Sequence, residues 1–279
     1  MYHVEKMGVA DISFAVQLAN TMNWNMTVAD FEFMIKLEAQ GCLVLFHGQK
    51  RLGMVTCISY GQMGWLGNLI VKEEARREGV GNILITRAKD YLKKKGAETI
   101  GLYAYPNIIK FYENFGFKSD IEFLVLKGKS TLLSNQKVLK DAKRKDISEL
   151  ITFDHNYFGA NRQKLLESVL LNKNNLCYIS TINNKIVGYV IAKIFNEMVE
   201  LGPLICNVNR IKEAVLLLKT ILDKLNGLEV FAYVPKKETT LLHLLCQAGL
   251  KEEFRVMRMF CGPAVTKNCI YTAESLERG

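Results

Sequence analysis

The segment Arg76-Arg77-Glu78-Gly79-Val80-Gly81-Asn82 joins an apolar run, Trp65 to Val71, to a stretch from Val80 to Lys95 with apolar residues at helical spacing. Gly79 and Gly81 let the main chain turn tightly and come close to a ligand. Successive N–H groups in such a turn, at the positive end of the following helix, form a site for a diphosphate. Arg76 and Arg77 add cations, although arginines here are equally at home in solvent. By itself Arg-x-x-Gly-x-Gly also describes an ordinary helix start, so its weight comes from what flanks it. Thirty residues on, Tyr105-Pro106-Asn107-Ile108-Ile109-Lys110-Phe111-Tyr112-Glu113-Asn114-Phe115-Gly116-Phe117 reads as a strand end, a short helix and a glycine stop. Asn107 is placed to cap that helix, and Tyr112 on its own would pass for a core aromatic.

Other chemistries are excluded by composition. Four isolated histidines and no Cys-x-x-Cys predict no metal site. Seven cysteines, an odd number scattered through apolar segments, predict reduced core thiols. No apolar run approaches a membrane span and no secretory signal is visible, so a cytoplasmic protein with no membrane partner is expected. The net charge is +9, and residues 129–279 carry most of the surplus with 22 basic against 15 acidic side chains. The basic positions Lys137, Lys140, Lys143, Arg144 and Lys145 lack interleaved aromatics, so nucleic acid is not an expected partner.

The elements that must hold these residues occur twice. An offset of 135 carries Asp11-Ile12-Ser13 onto Asp146-Ile147-Ser148, Cys42 onto Cys177, Gly53 onto Gly188, and Leu66-Gly67-Asn68-Leu69-Ile70 onto Leu201-Gly202-Pro203-Leu204-Ile205. The first copy reads β-α-α-β-β-β-α-β-α-β. A helix starts at Asp11, a Thr27/Asp30 capping arrangement opens the next, and a three-strand meander ends near Val71. A long helix then has Ile83, Leu84, Ala88, Tyr91 and Leu92 inward. The second copy has strands near 176–181, 186–194, 200–206 and 228–234 and a helix over 209–225. Residues 129–136 form the best linker, and the tail from 263 either wraps or frays.

These motifs, in this order and spacing, resemble the GNAT superfamily of N-acetyltransferases over residues 1–128. The whole arrangement is similar to its tandem YitH-type group, a view that Asp154, Phe158, Gly159 and Arg162 support. The resemblance implies an α+β fold, an α/β three-layer arrangement of two tandem GNAT-like domains, each a mixed, mainly antiparallel sheet flanked by helices. The domains would be 1–128, binding acetyl-CoA, and 137–262, degenerate, with 263–279 as tail. It implies that main-chain groups of Leu69 and Val71 pair with the pantetheine arm, and that the N–H near Ile70 polarises the thioester carbonyl. Amides from Arg77 through Val80 and Gly81 to Asn82 would hold the diphosphate, and Tyr112 would protonate the leaving thiolate. An amine, small molecule or peptide, would be the acceptor, walled by Trp24 unless that ring only closes the core, and no metal would take part. A non-catalytic acyl-CoA sensor is the alternative.

Tyr105 stands where many superfamily members carry an asparagine, so the cofactor contact expected of Asn107 is displaced by two positions. Asp30, Glu32, Tyr103 and Tyr105 are candidates for a general base, alongside solvent. In the second copy Ile211 to Leu216 replace the glycine turn and Leu245 replaces Tyr112, so no acetyl-CoA is expected there. Its role would be to shape the acceptor site, through Asp154, Tyr157, Arg162, Arg255 or Arg258.

Overall fold

The computed structural model describes residues 1–131, 139–195, 198–263 and 268–279; residues 132–136 of the expected linker lie outside this set. In chain order the elements of the first copy are β1 (Tyr2–Lys6), α1 (Ile12–Asn20), α2 (Val28–Glu38), β2 (Cys42–His47), β3 (Lys50–Ser59), β4 (Met63–Val71), α3 (Val80–Lys94), β5 (Thr99–Ala104), α4 (Ile109–Glu113) and β6 (Lys118–Lys129). There follow β7 (Lys140–Asp141), α5 (Ile147–Phe158), α6 (Gln163–Leu170), β8 (Leu176–Ile182), β9 (Lys185–Phe195), β10 (Met198–Asn207), α7 (Ile211–Lys224), β11 (Glu229–Pro235), α8 (Thr239–Gln247), β12 (Lys251–Cys261) and β13 (Cys269–Thr272). The expected α+β class and the repeat are both found.

Local chemistry explains why the copies match. Asp11 takes the Gly8 N–H on Oδ2 at 2.8 Å, and 135 residues on Asp146 takes the Lys143 N–H at the same distance. Gly53 in β3 and Gly188 in β9 let a helix press on the sheet. A Cβ at either would lie 3.0 Å from a leucine methyl of that helix, Leu84 or Leu217. The Thr27/Asp30 capping box forms as expected and opens α2.

The chain divides into two compact units. The first is Met1–Leu102 with Cys261–Pro263 and Arg278; the second is Tyr103–Phe260 with residues 268–277 and Gly279. In the first unit the strand order is β1-β2-β3-β4-β5, antiparallel except for β4 with β5. Val80, Leu84, Ile85, Ala88 and Leu92 form the buried stripe of α3. Ile83 and Tyr91, expected inward, sit at its margins and are half-buried, and the Tyr91 hydroxyl donates to Glu38 Oε1 at 2.5 Å.

In the second unit the order is β12-β6-β11-β10-β9-β8-β7, with β13 on β10. Ala214, Leu217, Leu218 and Ile221 of α7 share a core with Val190, Ala192, Leu201, Val230 and Ala232 of the sheet. Each such large aliphatic side chain contributes roughly 1.5–3 kcal/mol on burial. β6 belongs to the first copy by repeat, yet it pairs antiparallel with β11 on one side and β12 on the other. Leu126 of β6 lies in this same core, so the compact units part at 102 while the sequence repeat parts near 128. The tail wraps: residues 269–275 are all buried.

Candidate functional site

Along β4 the pairing with β3 runs Leu66 with Cys57 and Gly67 with Thr56, then resumes at Ile70 with Met54, so one extra residue is inserted on β4. Asn68 absorbs it at φ 50, a left-handed conformation that asparagine tolerates better than most residues. Its Nδ2 donates to Thr56 Oγ1 at 3.1 Å inside the core. The parallel pairing of β4 with β5 covers Met63, Gly64 and Trp65, so it ends two residues before Gly67, where the bulge begins. Beyond that point no strand among the described residues of this unit pairs with that side of β4, which leaves an open flank.

Which groups face that flank follows from the ladder. The Lys72 N–H donates to Leu52 O at 2.8 Å, and antiparallel strands exchange bonds at every second residue. Ile70, paired with Met54, therefore turns its N–H towards β3, while Leu69 and Val71 turn theirs to the open side. The expectation for Ile70 is corrected: the N–H available to a carbonyl on this flank is that of Leu69. Val71 O accepts from Arg76 Nε at 3.1 Å, and Arg76 also reaches Met22 Sδ at 3.8 Å. Arg76 thus ties down the end of the strand.

The loop from β4 to α3 turns on Arg77 at φ 69 and Gly79 at φ 82. A Cβ at Gly79 would meet nothing within 4 Å, so the glycine is there for its conformation. The first bond within α3 is Ile83 N–H to Gly79 O at 3.1 Å, which leaves the N–H groups of Val80, Gly81 and Asn82 to point out of the helix start. An open strand flank ending in a left-handed glycine turn and a helix N-terminus fits an extended ligand that carries a diphosphate. Trp24 lies half-buried in the same unit, between Asn23 at φ 57 and Asn25 at φ 52. Asp30 is taken by its capping box, accepting from Thr27 N–H at 2.7 Å, and Glu32 is exposed.

The remaining sequence-derived residues belong to the second unit. Tyr112 is buried on α4 against Phe111 and Phe117, and burial pushes its phenol up, so it stays protonated. Asn107 lies exposed in a short turn, Pro106–Ile108, and the cap position of α4 belongs to Ile108. Tyr103 stacks edge-on against Phe123, and Tyr105 packs on Phe254.

Asp154 and Arg162 are corrected as acceptor residues. Each is at most 1% exposed, and they bind each other, Arg162 NH2 to Asp154 Oδ1 at 2.6 Å. Arg162 also donates to Gly279 O at 2.7 Å, and Tyr189 donates to Asp154 at 2.5 Å. Their bonds are consumed within the core. Arg255 is exposed and pairs with Glu252. Tyr157 and Arg258 do line a cavity of about 280 Å³ together with Asp120, Lys237, Cys269 and Tyr271. There Arg258 pairs with Asp120 at 2.6 Å, and its guanidinium lies over Phe123, Phe260 and Tyr271. Asp120 carries no sign of this in the sequence, because an aspartate at a strand start is ordinary; only its pairing with Arg258 marks it.

Two comparisons with known families and folds agree. Residues 14–117 match the acetyltransferase (GNAT) family, and residues 150–271 match an acetyltransferase (GNAT) domain. No curated protein sequence matches the chain. Among solved structures, a putative acetyltransferase from Pyrococcus horikoshii aligns at TM-score 0.82 and 19% identity, covering 100% of this chain and 96% of that one. A GCN5-related N-acetyltransferase from Sphaerobacter thermophilus gives 0.69 and 12%, over 95% and 98% of the two chains. A tandem GNAT protein from the clavulanic acid biosynthesis pathway gives 0.63 and 11%, over 95% and 100%. At these identities the structures speak for the fold, and with the two family matches they lead to one statement: the chain belongs to the GNAT acetyltransferases, as two GNAT domains in tandem.

Proposed function

We propose that the protein is an acetyl-CoA-dependent N-acetyltransferase, with the acyl donor held by the first repeat, residues 1–128, and a degenerate second repeat over 137–262. The observation that carries this reading is the coincidence, along one strand and the loop that follows it, of the β4 bulge, the end of β5 pairing at Trp65, and the glycine turn at Gly79. Leu69 and Val71 would bind the pantetheine arm through their main chain, and Arg77 to Asn82 the diphosphate. The Leu69 N–H would polarise the thioester carbonyl, the type of contact usually worth most in acyl transfer. Acetyl-CoA supplies an activated acyl group, and the acceptor amine attacks it directly. Tyr112 is the proposed proton donor on its motif position and its neutral phenol. In the second unit, Asp120, Tyr157 and Arg258 replace Asp154 and Arg162 as residues to examine for acceptor specificity.

The test is titration calorimetry with acetyl-CoA and CoA, followed by CoA-release assays across small amines, amino acids, polyamines and peptide amino termini. Binding that is lost in Gly81→Glu, with turnover of at least one amine class, supports the proposal. Tyr112→Phe should lower turnover while leaving donor affinity unchanged. Donor binding without turnover of any amine would indicate a sensor, and no donor binding at all would end the reading.

A further inference from the structure

We infer that in the second repeat the chain's own strand β13 occupies the cleft that an acyl donor's pantetheine arm is proposed to occupy in the first. The geometry of the cleft itself is retained. β9 and β10 keep the register of β3 and β4 through the bulge: Ala192 pairs with Leu201 as Cys57 pairs with Leu66, and Tyr189 with Ile205 as Met54 with Ile70. β10 pairs parallel with β11 from Met198 to Leu201 and stops there, as β4 stops pairing with β5 at Trp65. The open flank of the second copy is therefore Leu204 to Asn207, which corresponds by the offset of 135 to Leu69 to Lys72.

β13 lies on that flank. Leu204 pairs antiparallel with Thr272, Ile205 with Tyr271, Cys206 with Ile270 and Asn207 with Cys269. Leu204 N–H donates to Thr272 Oγ1 at 2.8 Å. One residue further, Ala273 N–H donates to Tyr233 O of β11 at 2.9 Å, so the segment bridges both strands that diverge at the bulge. Gly202 makes room for it: at φ 154, a Cβ there would stand 2.0 Å from Ala273 O. Two buried cations hold the segment in place, Lys193 on Glu274 Oε1 at 2.5 Å and Arg162 on Gly279 O. The phosphate cradle is gone as well. Only residues 208–210 separate β10 from α7, and Asn207 satisfies two of their N–H groups, taking Asn209 on Oδ1 at 3.1 Å and Arg210 on its carbonyl at 2.9 Å.

Occupancy of the cleft stands on the geometry alone, while the likeness to a donor rests on the proposed function, and amide hydrogen exchange separates the two. In the ligand-free full-length protein, Leu204, Cys206 and Ala273 should exchange at least ~100-fold more slowly than amides of exposed loops. Saturating acetyl-CoA should slow Leu69 and Val71 and leave Leu204 to Cys206 unchanged, with one equivalent bound per chain. Gly202→Ala should release residues 270–273 to fast exchange and leave donor affinity in place. Fast exchange of Ala273 in the wild type, a second bound equivalent, or donor-induced protection at Leu204 would each overturn the inference. Slow exchange in the second copy with no donor binding anywhere would sustain it while defeating the proposed function. Should Gly202→Ala fail to fold, the wild-type exchange pattern and stoichiometry decide alone.

Discussion

Asn68 and Thr56 bond side chain to side chain, Nδ2 to Oγ1 at 3.1 Å, at the point where β4 carries one residue more than β3. The bond and the left-handed turn at Asn68 fix the same bulge from two sides. A β-branched residue there faces both the wrong backbone region and a stranded hydroxyl. Asn68→Val should cost about 2 kcal/mol of stability and weaken acetyl-CoA binding at least ~10-fold, as the open flank closes. Asn68→Gly, which keeps the turn, should cost about 1 kcal/mol and bind nearly as well. Denaturant midpoints and calorimetry check both; wild-type affinity in Asn68→Val would show the bulge to be dispensable.

Gly79 separates conformational cost from ligand contact. Both Gly79 and Gly48 have positive φ, 82 and 59, and a Cβ added at either would meet nothing within 4 Å. Alanine at either should cost about 1 kcal/mol. Only Gly79→Ala should also raise the dissociation constant for acetyl-CoA, by roughly 5-fold or more. Equal affinities in the two variants would remove the glycine turn from the site.

Asp154 and Arg162 carry a prediction of stability alone. Asp154→Asn leaves a buried guanidinium without its charge partner and should cost about 3 kcal/mol. The double variant Asp154→Leu, Arg162→Met removes both charges but strands the Tyr189 hydroxyl and the Gly279 carbonyl, and should recover only part of that loss. KM for the acceptor should stay unchanged in any variant that folds; a KM shift at unchanged stability would return the pair to the acceptor site.

Alkaline pH should unfold the protein through its thiols. Burial pushes Cys42 and Cys206 up from the ordinary 9.0 to about 12, and Cys269 to about 11. Up to the unfolded value the thiols are neutral in both states, and their contribution is fully present. As pH rises past 9.0, the unfolded thiols ionise while the native ones do not, so stability falls until the native values are reached. Under reducing conditions Tm should hold to about pH 8.5 and then decline, less steeply in Cys42→Ala. A Tm independent of pH up to 11 would contradict the burial of these groups.

What the sequence made legible was local or repeated. The stripe of α3 could be read because apolar spacing follows the helix period, and the glycine turn because Gly79 and Gly81 stand between a strand pattern and a helix pattern. The offset of 135 set Leu66 to Ile70 of β4 against Leu201 to Ile205 of β10. The pair Gly67-Asn68 inside an apolar run was the available sign of the bulge, since both residues accept a turn conformation. Partner choice was not legible. Alternation marks residues 123–127 as a strand, but nothing local says that the strand will lie between β11 and β12. Nor does polarity alone reveal that Arg162 and Asp154 satisfy each other in the core, or that a tail segment will fill a cleft.

The placement of β6 bears on how the protein is made. Lys129 pairs with Glu229, so a hundred positions of chain must leave the ribosome between the two partners. At 5–20 residues per second, a typical rate of synthesis, that is roughly 5 to 20 s during which an apolar strand waits with both edges bare. Until β11 and β12 emerge, a nascent-chain chaperone or another nascent copy competes for it, and slowing translation across the second repeat should lower the soluble yield.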